Sequence, residues 1–380
     1  MTEEQLSGDA DRAKLVSTIF SRSLHVQWIQ GNQEVAESSF FKINSQGTVL
    51  DPTEELLLKH RRKSYAIAAR SITRAGTGHK YWSKFDPATQ DQIEAMALIQ
   101  NDLLFQPNVK EPIKTLDLPL GGANSPVDAL KTLIDIFSLM DGATDPKKSL
   151  ENLKDDADGS ATLALLRRSA KVVTRLCGND AASLGLHPAV YFYTERGKHS
   201  RFLFLGTVKL IAEVINDNNK QWFKSFTNAR AKVETILIAR KSLINQGLSN
   251  VNSGTRIRSI SDLLKFLVKS INDDVEVTDE MILKALGLQG RAGDLKIIDA
   301  PSGFSTDVKS AVFLKAAIDN APKCSACGGL LHTIKSVSYD HVHPLSAGGN
   351  GSHENAQLLH PYCNSIKGST VADVMVELGD

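Results

Sequence analysis

Apolar residues recur at three- and four-residue spacing through most of the stretch from 127 to 285. "VDALKTLIDIFSLM", "GSATLALLRRSAKVVTRLCG", "FLFLGTVKLIAEVIND", "FTNARAKVETILIARKSLINQG" and "SISDLLKFLVKSIND" each gather their apolar side chains on one helical face. "TDEMILKALG" adds a shorter helix, with Thr278 as its cap and Gly287 as its stop. "DVKSAVFLKAAIDNA", 307–321, is one more. Nearer the start the pattern is mixed. "SLHVQWIQ", 23–30, alternates Leu24, Val26 and Trp28 with polar residues, as a half-buried strand does. Asn44 to Gly47 marks a turn. "DPTEE" then opens a helix: Asp51 is the N-cap, Pro52 the first helical position, and Glu54 and Glu55 lie in the first turn. It runs on through "SYAIAARSITRA" until "GTGHKYW", 76–82, breaks it. "LDLPLGGANSP", 116–126, and "QGRAGDLKIIDAPSGFSTD", 289–307, read as connectors. The pattern predicts a protein that is mainly α with small α+β parts. Its regions are 1–120 (α+β), 121–300 (α-helical) and 305–380.

Composition changes this picture in few places. No run of ~18 apolar residues occurs, so no membrane span or membrane partner is expected. "MTEEQLSGDADRAKL" is polar and partly acidic and lacks the features of a signal peptide, which predicts a cytoplasmic location. The net charge of +1 says little, but its distribution is uneven. From Lys59 to Lys80 there are seven Lys or Arg and no acid. The last eighty residues hold five Lys or Arg and seven acids.

Four cysteines occur: Cys177, Cys324, Cys327 and Cys363. Cys177 has no neighbour of its kind and reads as a small buried apolar residue. Cys324-x-x-Cys327 in a reducing compartment argues for metal rather than a disulfide. His360-x-x-Cys363 supplies a second pair. Two such knuckles aim four side chains at one ion, and sulfur with imidazole nitrogen is the donor set zinc prefers. Four protein ligands close the site, so this Zn²⁺ is structural and staples a segment too small to hold itself together.

Asp340-His341, Asn355 and Asn364 form a second constellation. "DHVHPLSAGG", "EN" and "LHPYCNSIKG", together with the knuckles, resemble the HNH endonuclease family, the ββα-metal nucleases, over residues 305–372. The resemblance implies a zinc-stapled ββα-metal module behind a helical N-terminal and central region, with DNA as the partner. It implies that Asp340 and Asn364 hold a catalytic cation, Mg²⁺ or Mn²⁺, since both offer oxygen to a hard ion. It makes His341 the base that activates water, and Asn355 the residue that pins the loop and orients that histidine. Neighbouring strand residues face opposite sides, so Asp340 and His341 can serve different tasks. Imidazole is suited to take a proton near neutral pH. Lys367 is placed to meet a phosphate. His343 and His353 read as bystanders. One module has one active centre, so a monomer is expected to nick a strand.

A slightly acidic module needs cations from elsewhere to hold a polyanion. Lys63, Arg70 and Arg74 fall near one helix face that Ala66 leaves open, and are the expected DNA contacts. "GTGHK" is not a P-loop. "FFKINSQGTVLDPTEELLL" is similar to a segment of a broad prokaryotic family with a ParB/sulfiredoxin-like fold, which includes GmrSD-type restriction enzymes; the likeness spans residues 20–85. That family's D-G-Q-Q-R motif for nucleotide hydrolysis is absent from this chain. Fusions of this build resemble bacterial anti-phage effectors, Zorya-like ones included, which implies further subunits. Two alternatives stay open: a zinc-dependent DNA-binding protein without catalysis, and a nucleotide-gated effector with a switched nuclease.

Overall fold

A computed structural model describes residues 14–18, 21, 39, 51–78, 80–105, 126–143, 145–288, 305–333 and 335–368. The chain divides into two compact units, Met1–Pro52 and Thr53–Asp380. In the first, residues 14–18 are helical. The expected strand at 23–30, the turn at 44–47, the connector at 116–125 and most of that at 289–307 lie outside the described residues.

The described part of the second unit is built from helices α1 (Pro52–Lys59, whose first residue is the last of the first unit), α2 (Ser64–Thr73), α3 (Pro87–Phe105), α4 (Pro126–Met140), α5 (Pro146–Asn152), α6 (Ser160–Cys177), α7 (Pro188–Tyr191), α8 (Arg201–Asn216), α9 (Lys220–Ala239), α10 (Lys241–Asn250), α11 (Arg256–Asn272), α12 (Asp279–Ala285) and α13 (Thr306–Asp319). A hairpin follows, β1 (Ser338–His341) and β2 (Ala356–Leu359), and then α14 (Pro361–Lys367). Among the described residues the protein is mainly helical, with one small two-stranded sheet near its C-terminal end. No described helix is long and apolar enough to cross a membrane.

Two helices organise the core. In α2 every residue from Ser64 to Ile72 is buried, and it packs on α3, α4 and α6. In α8 nearly every residue from Leu203 to Val214 is buried, and it packs on α4, α6 and α11. The α8–α11 crossing is close because residue 206 is glycine: a Cβ there would lie 2.5 Å from Ile260 Cβ. Helices on either side of residue 120 thus share one core. Local chemistry sets the ends. Thr278 Oγ1 accepts from Met281 N–H to cap α12, and Gly287 ends it at φ +89°. Asp156, itself buried, accepts from Gly159 N–H and Thr162 N–H and starts α6.

Two expected helices are each broken once. The first stops at Lys59, because Lys63 is extended and bridges Asp155 while Asp156 N–H donates to Arg62 carbonyl at 2.8 Å. The second breaks at Arg240, between α9 and α10. There Lys241 turns inward, and its ammonium donates to the carbonyls of Ala189, Val190 and Tyr193 at 2.7–3.0 Å. These are orphan carbonyls at the end of α7. Burial lowers the Lys241 pKa to about 7. Cys177 is buried as expected, and burial pushes its thiol up to about 12.

Candidate metal centre and active site

Cys324 and Cys327 sit on a tight knuckle, closed by Cys324 N–H to Gly329 carbonyl at 2.9 Å and Gly328 N–H to Cys324 carbonyl at 2.8 Å. Ser325 N–H donates to Leu358 carbonyl and fastens the knuckle to β2. His360 is the N-cap residue of α14, and Cys363 lies in its first turn. The four ligand atoms of Cys324, Cys327, His360 and Cys363 lie within 4.8 Å of one another. His360 Nδ1 is 3.4 Å from Cys327 Sγ and 3.8 Å from Cys363 Sγ. A tetrahedral zinc with Zn–S of about 2.3 Å sets its ligand atoms roughly 3.5–3.8 Å apart. His360 Nε2 donates to Leu330 carbonyl at 3.0 Å, which leaves Nδ1 as the lone-pair nitrogen facing the thiols.

The thiols cannot all ionise unaided. Hydrogen bonds from Cys327 and Cys363 hold Cys324 far below the usual thiol range. The bond to Cys324 pushes Cys327 up to about 12, and Cys363 is raised further by its bonds to both. Burial, with Arg230 nearby, lowers His360 and keeps it neutral. One favoured thiolate, two thiols held protonated and a neutral imidazole are what a divalent cation would turn into a full ligand set. The donors therefore fit zinc.

This centre is wired into the helices. Leu330 accepts from His360, and its N–H donates to Glu234 Oε2 at 2.6 Å. Glu234 Oε1 accepts from Arg230 Nε at 2.8 Å and Tyr191 hydroxyl at 3.1 Å. Arg230 Nη1 and Nη2 donate to the carbonyls of Leu184 and Gly185 at 2.5 and 3.0 Å. The Arg230 and Glu234 side chains are only 2% and 3% exposed. Burial by itself would lower the Arg230 pKa, but the Glu234 carboxylate more than reverses this. Gly329 makes room, because a Cβ there would lie 2.7 Å from Arg230 Nε. None of these body residues stood out in the sequence, since Glu234 and Leu330 are separated by 96 positions.

β1 and β2 pair antiparallel, with Asp340 opposite Gln357 and His341 opposite Ala356. α14 packs on β1 and brings Asn364 to the same unit. Asp340 Oδ2 accepts from Lys367 Nζ at 2.6 Å and Gln357 Nε2 at 3.3 Å. Both donors also reach His341 carbonyl, at 2.7 and 3.2 Å. Asn355 holds the loop: its Oδ1 accepts from His343 N–H at 2.7 Å, and its Nδ2 donates to the carbonyls of His343 and Asn350 at 3.0 and 2.7 Å. Among the described residues nothing hydrogen-bonds the His341 imidazole or the Asn364 side-chain amide. His343 Nε2 bonds Ala347 carbonyl and closes the turn, while His353 is 93% exposed beside Glu354. Gln357 was missed in the sequence; only the hairpin register places it opposite Asp340.

The four expected phosphate contacts all have partners within the protein. Lys367 is buried, its side chain 1% exposed, and its ammonium is spent on Asp340 and His341 rather than turned outward. Ala66 leaves no open face, being wholly buried. Arg70 is also buried, donating to Tyr81 hydroxyl and stacking on its ring. Arg74 lies over the same ring, and Lys63 Nζ donates to Glu151 carbonyl. For Arg70 the cause is the central position of α2, while half-buried Lys63 and Arg74, at its two ends, reach local partners.

A zinc-knuckle ββα unit defines the class of this site. Residues 324–370 match the family model described as HNH endonuclease. That segment is a minor part of the chain. No curated protein and no solved structure matches the chain in the comparisons made.

Proposed function

We propose that the protein is a metal-dependent DNA endonuclease whose C-terminal module hydrolyses phosphodiester bonds. The observation that carries this is the pair Asp340-His341 at the end of β1: the carboxylate is clamped toward α14, while the adjacent imidazole has no hydrogen-bond partner among the described residues. Asp340 and Asn364 offer two hard oxygen donors on facing elements, which fits Mg²⁺ or Mn²⁺. Such a cation supplies charge stabilisation at the scissile phosphate and the leaving oxygen. His341 takes a proton from water as that water attacks phosphorus, and the bond to the 3′ oxygen breaks. Asn355 keeps the His343 turn closed and so fixes where His341 stands. Lys367 and Gln357 hold the Asp340 carboxylate and the His341 carbonyl in one frame. Cys324, Cys327, His360 and Cys363 would hold zinc, which would fasten α14 to the knuckle. Service in bacterial anti-phage defence is the biological setting we assign, supported by the sequence resemblance.

Supercoiled plasmid with Mg²⁺ or Mn²⁺ tests the chemistry. Wild type is expected to relax it by nicking, and His341→Ala to lose at least ~10²-fold in rate, the usual worth of a general base. Equal survival of plasmid with both proteins, at a zinc content of one per chain, would leave a DNA-binding zinc protein without catalysis.

A further inference from the structure

The module is poor in usable positive charge. Residues 324–368 contain two lysines, Lys335 and Lys367, and no arginine. Lys335 Nζ is held by the carbonyls of Asp102 and Leu103, and Lys367 by Asp340. Phosphate contacts supply most non-specific affinity for DNA, so the charge must come from the helices.

Two of these helices are depleted of exposed acid. α6 carries four basic residues, Arg167, Arg168, Lys171 and Arg175, and no acid. α9 carries Lys220, Lys224, Arg230 and Lys232, and its single acid, Glu234, is buried against Arg230. Both meet the module at one point. The Arg175 guanidinium lies 4.3 Å from the Phe223 ring centroid and 5.6 Å from that of Tyr362, in α14. Around this junction Lys171 stands one turn from Arg175, while Lys220 and Lys224 flank Phe223. All three are exposed, and among the described residues none has a side-chain partner. Ser365 and Ile366 continue the Tyr362 face of α14 by helical spacing and are also exposed. Tyr362 and Lys367 are five positions apart, about 7.5 Å along α14, so this junction lies about two base-pair steps from the helix end that holds Asp340.

We propose that Lys171, Lys220 and Lys224, at the junction of α6, α9 and α14, form the surface that holds the phosphate backbone of a DNA duplex for the module. The proposal rests on the nuclease reading above. It assigns the anchoring charge to the helical body and the chemistry to the hairpin. The surface reads phosphates, not bases, so the affinity it supplies is independent of sequence.

The test uses the full chain in a His341→Ala background, with fluorescence anisotropy of a labelled duplex over a salt series. The triple variant Lys171→Gln, Lys220→Gln, Lys224→Gln is expected to bind at least about tenfold more weakly. Its log–log salt slope should be less steep by roughly 3, at about 0.9 per lost contact. With His341 intact, the triple variant should lose nicking in proportion at low DNA concentration, with zinc content unchanged. Gln at these exposed sites disturbs no partner; each single variant, expected to shift the slope by about 1, gives the same answer should the triple fail to fold. Equal affinity and slope in both proteins, while wild type still nicks plasmid, overturns the surface and leaves the nuclease reading standing. Absence of both binding and nicking in wild type removes the two together.

Discussion

The helical body and the ββα module are held together by different physics. The body buries one continuous apolar core that runs from Leu57 through α2, α8 and α11 to Leu288 and on to α13. The module has a core of four described residues, Cys324, Leu331, Leu359 and Cys363, and two of those are candidate metal ligands. Apolar burial at about 25 cal/mol per Å² can stabilise the first and falls far short for the second. The module instead has a cluster that fits a metal ion, and a seat on the body: Tyr362 N–H on Ser183 carbonyl, Ser336 hydroxyl on Gly178 carbonyl, and Leu330 N–H on Glu234. A small unit of this kind is finished by its neighbours rather than by its own sequence.

The strongest way to break this contrast is to remove zinc. A structural zinc site of this type contributes on the order of 10 kcal/mol to folding. Chelation is expected to abolish amide protection across 324–368 while α2 and α8 keep theirs, as read by hydrogen exchange. Loss of protection in both regions would mean that the body also needs the ion. Next in size is the Arg230–Glu234 pair. Arg230→Met leaves a buried carboxylate unpaired and is expected to cost about 3–5 kcal/mol, seen as a lower unfolding midpoint. Glu234→Gln loses the carboxylate behind Leu330 and His360, and should speed zinc release to a colorimetric chelator roughly 10- to 100-fold. Unchanged release would make the link to His360 a packing feature only.

Lys367→Met sharpens the contrast inside the module. It frees Asp340 and the His341 carbonyl while leaving all four zinc ligands in place. Nicking should fall on the order of 10²-fold through misplacement, at full zinc occupancy. A proportional loss of zinc would place Lys367 in folding instead. The smallest effect is expected at the cations of the first basic stretch. Lys63→Gln and Arg74→Gln should change duplex affinity by less than about twofold, because both side chains already have local partners. A drop comparable to that of the α6–α9 lysines would restore the stretch as a DNA contact.

Much of the module was legible in the sequence because its signals are local. C-x-x-C and H-x-x-C spacings fix which side chains converge, since a knuckle and a first helical turn have few geometries. Strand alternation separates Asp340 from His341, and helical periodicity gave most of the longer helices of the body, but not α3, α5 or α7, nor the breaks at 59–63 and 240. The breaks escaped because Lys63 pairs with Asp155 and Lys241 with α7, contacts between residues distant in the chain. The sequence by itself determined the zinc ligands' grouping and the helical character of the chain. Only the tertiary structure decided that Lys367 clamps Asp340, that Glu234 and Arg230 stand behind His360, and that Arg70 of α2 is buried while Lys171 of α6 and Lys220 and Lys224 of α9 stay exposed. A long charged side chain can reach many partners, and packing alone selects among them.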